Sequence, residues 1–247
     1  AIVFVCCIFT SSLNVTVISE NATDEYYSDA LGKEGQALKT ALHDIIDNSR
    51  MLSYSEVWDA LKITDEDPNN PNNVILLYTG ESRPKNKAGG DVGDWNREHT
   101  WAKSHGDFGT SNGPGTDIHH LRPSDVQVNG ARGNLDFDNG GGSVKNCSEC
   151  KRDSDSFEPP DEVKGDIARM LFYMATRYEN GDKVDLELND KVNNGSNPYH
   201  GKISILLQWS EQDPVSEWER QRNEKIYQIQ GNRNPFIDHP EWVEAIW

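Results

Sequence analysis

Between Lys33 and Asn48 the apolar residues Ala37, Leu38, Ala41, Leu42, Ile45 and Ile46 recur at helical spacing. An amphipathic helix with its stripe on a core is expected there. A shorter helix is expected over Tyr54 to Ile63, with Val57, Leu61 and Ile63 inward. Thr64 to Asn73 (TDEDPNNPNN) reads as a turn-rich acidic loop, and Val74 to Thr79 as a strand closed by Gly80, because the run is β-branched, apolar and of strand length. Pro159, Pro160 and Asp161 signal a helix start, and Val163, Ile167, Met170, Leu171 and Met174 form a strong helical stripe after it, which is core. Asp213 followed by Pro214 predicts another helix through Val215 and Trp218 to Tyr227, by the cap-plus-first-turn signature. With no internal repeat and no long linker, the pattern predicts one mixed α+β domain with helices on both sides of a middle segment.

In that middle segment, Trp95 to Gly142, residue chemistry stands out. Asn96-Arg97-Glu98-His99-Thr100-Trp101 is followed, after a loop containing Gly106, Gly109, Gly113 and Gly115, by Thr116 to Asn134 (TDIHHLRPSDVQVNGARGN). Asn96 to Thr100 and Asp117 to Leu121 read as short strands, and Pro123 sets a helix start with Ser124 and Asp125 in its first turn. Asp125, Asn129 and Arg132 then stand at i, i+4 and i+7 on one helical face. A carboxylate and an amide oxygen together can hold a hard divalent cation that keeps several waters. A neutral histidine beside them can take a proton from water at pH 7, and arginine can hold a phosphate or its developing charge. These residue types suit phosphodiester hydrolysis on one metal ion. Glu98 and His99 are adjacent, so a regular strand would point them to opposite faces, and both serve one site only where the strand ends or bulges.

Four motifs carry a family resemblance: NREHTW, DIHHLRPSDVQVNGARGN, FEPPDEVKGDIARMLFYM (Phe157 to Met174) and GNRNPFIDHPE (Gly231 to Glu241). Their order and spacing resemble the endonuclease I family of secreted or periplasmic non-specific nucleases, within the ββα-metal (His-Me finger) superfamily. The resemblance covers roughly Tyr26 to the C-terminus. It implies an α+β domain built around a ββα-metal motif, with His99 as general base and Glu98 and Asn129 as ligands of one Mg²⁺, with Mn²⁺ or Ca²⁺ as alternatives. Arg97 and Arg132 would join the catalytic site, and Arg122 and Asn134 would bind substrate. The implied activity is cleavage of DNA and RNA to 5′-phosphate and 3′-hydroxyl ends, by a monomer with no membrane association. Better-known members carry several disulfides, which this chain lacks.

Composition and the ends adjust this picture. The chain has 247 residues, 35% hydrophobic and 26% charged, enough for one ordinary domain and unlike a collagen, a coiled coil or a multi-span membrane protein. The apolar run Ile2 to Phe9 is too short to span a bilayer but matches the core of a secretory signal. Residues 1–18 are therefore read as a signal remnant and 19–247 as the catalytic domain, exported from the cell. Cys6 and Cys7 would leave with the signal, and Cys147 and Cys150 are then expected to form a local disulfide, since zinc would need two further ligands. The net charge of -17 argues against a nucleic-acid partner at first sight, because phosphate binding normally leaves a basic footprint. Residues 95–145 nevertheless carry five basic and six acidic side chains, a sum of -1, so the excess lies in the flanks. DNA affinity is then expected to be weak and local to the site. An alternative reading is a non-catalytic, calcium-stabilised binding or adhesion domain on the same scaffold, supported by the acidic loops Asp65 to Asp67 and Asp136 to Asp138. A phosphodiesterase for small or lipid substrates is a third.

Overall fold

The computed structural model describes residues 20–247. The signal reading and Cys6 and Cys7 lie outside the described residues. Among the described residues nine α-helices run in chain order: α1 (Glu20–Tyr26), α2 (Gly35–Ile46), α3 (Tyr54–Thr64), α4 (Val126–Arg132), α5 (Lys164–Arg177), α6 (Ile203–Gln212), α7 (Glu217–Gln230), α8 (Pro235–Asp238) and α9 (Trp242–Ile246). The strands form four small sheets. β1 (Glu66–Asp67), β2 (Asn70–Ile75) and β3 (Ser82–Pro84) make an antiparallel ribbon, and β4 (Trp95–His99) forms a two-stranded sheet with β5 (Leu121–Asp125). β6 (Asp136–Phe137), β7 (Gly142–Val144), β8 (Cys147–Arg152) and β9 (Ser156–Glu158) form a sheet ordered β6-β9-β8-β7, and β10 (Glu187–Leu188) lies parallel to β11 (Tyr199–His200). The fold is α+β, as the pattern predicts.

α5 is the central post. All fourteen of its residues are buried, and it packs on α2, α6 and α8. Its stripe of Ile167, Leu171 and Met174 joins Leu38, Leu42, Trp209 and Phe236 in one apolar cluster. Charged residues inside it survive burial because they are paired: Arg169 holds Glu219 through two bonds of 2.7 and 2.8 Å. A second cluster gathers Val57, Leu61, Val74, Trp95, Ile118, Leu121 and Ile226. The hairpin β4–β5 and the helix α4 that follows it are gripped between the two, with Trp95 and Leu121 in one cluster and Trp101 and Val128 in the other.

Five expectations shift. Ile63, expected inward on α3, is exposed, while Val57 and Leu61 are buried. The strand expected over Val74 to Thr79 instead ends at Ile75, and Asn70 to Asn73, expected as loop, belong to it. β3 fixes the register by pairing Val74 with Arg83 and Ile75 with Ser82, so Leu76 to Gly80 must turn, closed by Gly80 N donating to Leu76 O with φ +64°. The apolarity of Leu76, Leu77 and Tyr78 reflects burial, not strand. The second strand begins at Leu121, not Asp117, and runs through Pro123, which lies opposite Arg97. α4 accordingly starts after Asp125, whose carboxylate caps it by accepting from Gln127 N and Val128 N, and a side-chain cap outranks a first-turn proline as a start signal here. Likewise Ser216 caps α7 with a reciprocal Glu219 box, so Asp213 and Pro214 precede the helix.

Cys147 and Cys150 form the expected disulfide, within the β7–β8 hairpin. The carboxylates of the acidic loops behind the calcium reading are engaged by donors of the protein itself. Asp65 is fully buried and accepts from Arg122 and Arg222, while Asp138 lies by Lys202. Asp136 is bonded by Gly201 N and the Asn194 side chain. Among the described residues no helix is long and apolar enough to cross a membrane.

Candidate active site

β4, β5 and α4 are a ββα unit, and the side chains of β4 alternate across it. Asn96 and Glu98 point toward α4. Asn129 Nδ2 donates to Asn96 Oδ1 at 2.7 Å, and Arg132 Nη1 donates to Glu98 Oε1 at 2.6 Å. Arg97 and His99 point the other way, toward Tyr54 at the start of α3: the Arg97 guanidinium lies 3.4 Å above the Tyr54 ring, and the His99 ring is 5.9 Å from it. Alternation is therefore intact. Because β4 stops at His99, both faces still open on one cleft of about 490 Å³, lined by Tyr54, Arg97, Glu98, His99, Asn129 and Asn134, together with the loop residues Lys103, Ser104 and Asp107.

His99 is nearly buried, and its Nε2 lies 2.9 Å from Gly115 O. A carbonyl only accepts, so Nε2 carries the proton and Nδ1 keeps its lone pair. Among the described residues Nδ1 has no hydrogen-bond partner. Burial, then the neighbouring His120, holds the ring's pKa down to about 3, with Lys103 and Arg97 adding in the same direction. The ring is a neutral base at any ordinary pH.

Glu98 is buried, and burial pushes its carboxyl up while Arg132 and the Tyr78 hydroxyl pull it down. Tyr78 donates to Oε1 at 2.6 Å. Its own pKa is driven well up, first by burial and then by Glu98, so it remains a phenol. Both bonds fall on Oε1, and among the described residues Oε2 accepts none. Asn129 is anchored in the same manner: its amide nitrogen is spent on Asn96, which turns the amide oxygen free. The donor set, one carboxylate oxygen and one amide oxygen beside a neutral imidazole, fits a hard divalent cation.

The arginines divide. Arg97 lines the cleft, tethered by Nη1 to Tyr54 O. Arg132 does not reach it as a phosphate contact. It is fully buried, and its five N–H groups go to Glu98, the carbonyls of His99, Thr100 and Leu135, and His200 Nε2, so it braces the site from behind. Arg122 lies elsewhere, buried against Asp65 and Asp166 beneath Trp218. A side chain so committed is not free for phosphate, and the substrate contact expected of it is corrected. Asn134 lines the cleft and donates to Ser104 Oγ at 3.2 Å. Asp125 caps α4 and pairs with Arg83 at 2.8 Å, away from the cleft.

Three residues escaped the sequence reading. Asn96 is inside the leading motif, two positions before Glu98, and the strand period alone would have put it on the same face. Lys103 is exposed on the cleft wall, and its ammonium has no ion-pair or hydrogen-bond partner among the described residues. Tyr78 comes from the misassigned strand and had no signal. His119 and His120 are structural: His119 bonds Asn232, and His120 lies between Pro114 O and Trp101 N.

A second group, His105, Asp136 and His200, is close enough to suggest a metal. Arg132 donates to His200 Nε2 at 3.1 Å, which places that ring's proton on Nδ1, facing Gly201 O and Asp136. The ring then has no lone pair to give a cation, and the group is a hydrogen-bonded brace behind Arg132.

The Endonuclease I family model matches residues 34–241. The chain is 70% identical over 227 residues to an extracellular ribonuclease of Bacillus subtilis (strain 168), covering 91% of this chain and 79% of that one. It is 66% identical over 240 residues to an extracellular ribonuclease of Bacillus amyloliquefaciens, covering 96% and 82%. An extracellular deoxyribonuclease of Aeromonas hydrophila is 31% identical over 127 residues, 49% of this chain and 48% of that one. The family match extends from α2 through α8 and includes the whole ββα unit, so the chain belongs to the endonuclease I family and is a nuclease, a hydrolase of phosphodiester bonds.

Proposed function

We propose that the protein is an exported endonuclease that cuts RNA and DNA with little sequence preference, using His99 as general base and a divalent cation held by Glu98 and Asn129. The observation that carries this reading is the pattern of free atoms in the cleft. Glu98, Asn129 and His99 are each fixed by hydrogen bonds on one polar atom, and the other polar atom has no hydrogen-bond partner among the described residues. Export is supported by the disulfide and by relatives described as extracellular.

In this reading Nδ1 of His99 takes a proton from a water, which attacks phosphorus in line with the leaving 3′ oxygen. The bond from phosphorus to that oxygen breaks, the 3′ oxygen collects a proton from solvent, and the products carry 5′-phosphate and 3′-hydroxyl ends. A bound divalent cation, Mg²⁺ or alternatively Mn²⁺ or Ca²⁺, supplies neutralisation of charge on the phosphate. Gly115 O keeps the base in its Nε2–H tautomer. Lys103 and Arg97 give the cleft its positive charge and hold phosphates, replacing Arg122 in that role, while Asn134 offers an amide to the backbone. RNA is placed first because the two Bacillus relatives are described as ribonucleases. Digestion of RNA and of plasmid by purified protein with Mg²⁺, Mn²⁺ or Ca²⁺ tests the proposal. Cleavage that persists unchanged in excess EDTA contradicts the metal-dependent scheme.

A further inference from the structure

An asparagine offers either oxygen or nitrogen to a cleft, and only the oxygen can hold a cation. The orientation of Asn129 is set by its partner. Its Nδ2 donates to Oδ1 of Asn96 at 2.7 Å; with Asn129 reversed, two oxygens would face each other at that distance. Asn96 is half-buried on β4, two residues before Glu98 and opposite Ser124. Along a strand two residues advance about 6.6 Å, and along a helix three residues advance about 4.5 Å. The pairs Asn96–Asn129 and Glu98–Arg132 are thus successive rungs between β4 and α4.

We infer that Asn96 is a positioning residue for the cation site: as the acceptor in this bond it holds the Asn129 amide nitrogen and turns the amide oxygen into the cleft. The inference rests on Asn129 being a ligand, as proposed above. Asn96 supplies Asn129 with what Tyr78 and Arg132 supply Glu98, a partner on the atom that the cation does not use, and such outer partners typically change metal affinity by about 10–100-fold when removed.

The experiment is titration of Mn²⁺ into purified protein, followed by calorimetry and by the electron paramagnetic resonance of free Mn²⁺, with the melting temperature recorded for each variant. Asn96→Leu removes the acceptor and is expected to weaken Mn²⁺ binding about tenfold; Asn96→Ala serves in its place if leucine unfolds the domain. Asn96→Asp can only accept, so it is expected to bind within about threefold of the wild type or more tightly. Wild-type affinity in Asn96→Leu, or equal losses in the leucine and aspartate variants, overturns the inference. Asn129→Ala separates the two levels: if it binds Mn²⁺ like the wild type, the ligand reading itself is what fails.

Discussion

Arg132 Nη1 donates to Glu98 Oε1 at 2.6 Å, and both residues are buried. The pair is the base on which the cleft stands. Burial raises the Glu98 carboxyl, and the fully bonded guanidinium behind it offsets part of that rise. Removing one partner of a buried pair typically costs about 3–5 kcal/mol, since the survivor is left an uncompensated charge. Arg132→Met should therefore lower unfolding stability by that amount in urea titration and abolish nuclease activity, and lysine, with fewer donors in a different geometry, should not restore either.

Lys103 is exposed on the cleft wall, and among the described residues nothing bonds its ammonium. Lys103→Ala should raise KM for RNA by about 3–10-fold with kcat little changed, and should reduce the slope of log KM against log salt by about one charge. Stability should not move. A fall in kcat at unchanged KM would place Lys103 in the chemistry instead.

Buried histidines make the fold acid-labile. Burial, the largest cause, brings His119 and His120 each down to about 4 from 6.5, although Asp117 pulls the other way, and His200 lies well below the usual value. The unfolded chain therefore binds protons that the folded chain refuses. Stability is at its full value above about pH 6.5 and is lost as pH falls from there toward 4. Urea midpoints measured from about pH 7.5 down to about pH 4.5 should fall steadily, and a flat profile would contradict the burial of neutral rings.

Cys147 and Cys150 close a loop of only four residues. Cross-linking so short a loop stabilises by about 2 kcal/mol. Replacing both with serine should lower stability by no more than that and leave nuclease activity intact, because neither cysteine lines the cleft.

Helices with strong stripes were legible because burial writes its period into the sequence, as in α2, α3 and α5. The ββα chemistry was legible because Glu98, His99 and Asn129 sit in motifs, and the structure brings all three to one cleft. Boundaries were not. Leu76, Leu77 and Tyr78 are apolar because they are buried in a turn, and β5 extends through Pro123 because Asp125, not proline, caps α4. The roles of arginines were least legible. Arg97, Arg122 and Arg132 are equal in sequence, and only the distant partners Asp65, Asp166 and His200 decide which of them is consumed in the interior. The acidity of the chain has the same explanation: at -17 it is a property of the flanks, and the cleft has its own balance.

The central claim, a neutral His99 base working beside a cation held by Glu98 and Asn129, is tested most directly by one comparison. RNA cleavage is measured for the wild type and for His99→Ala, each with Mg²⁺ and with excess EDTA, while circular dichroism follows the fold. His99→Ala should lose about 10²–10⁴-fold in rate with the fold retained, and the wild type should lose activity in EDTA and regain it with Mg²⁺. Wild-type rates in a folded His99→Ala variant would contradict the claim.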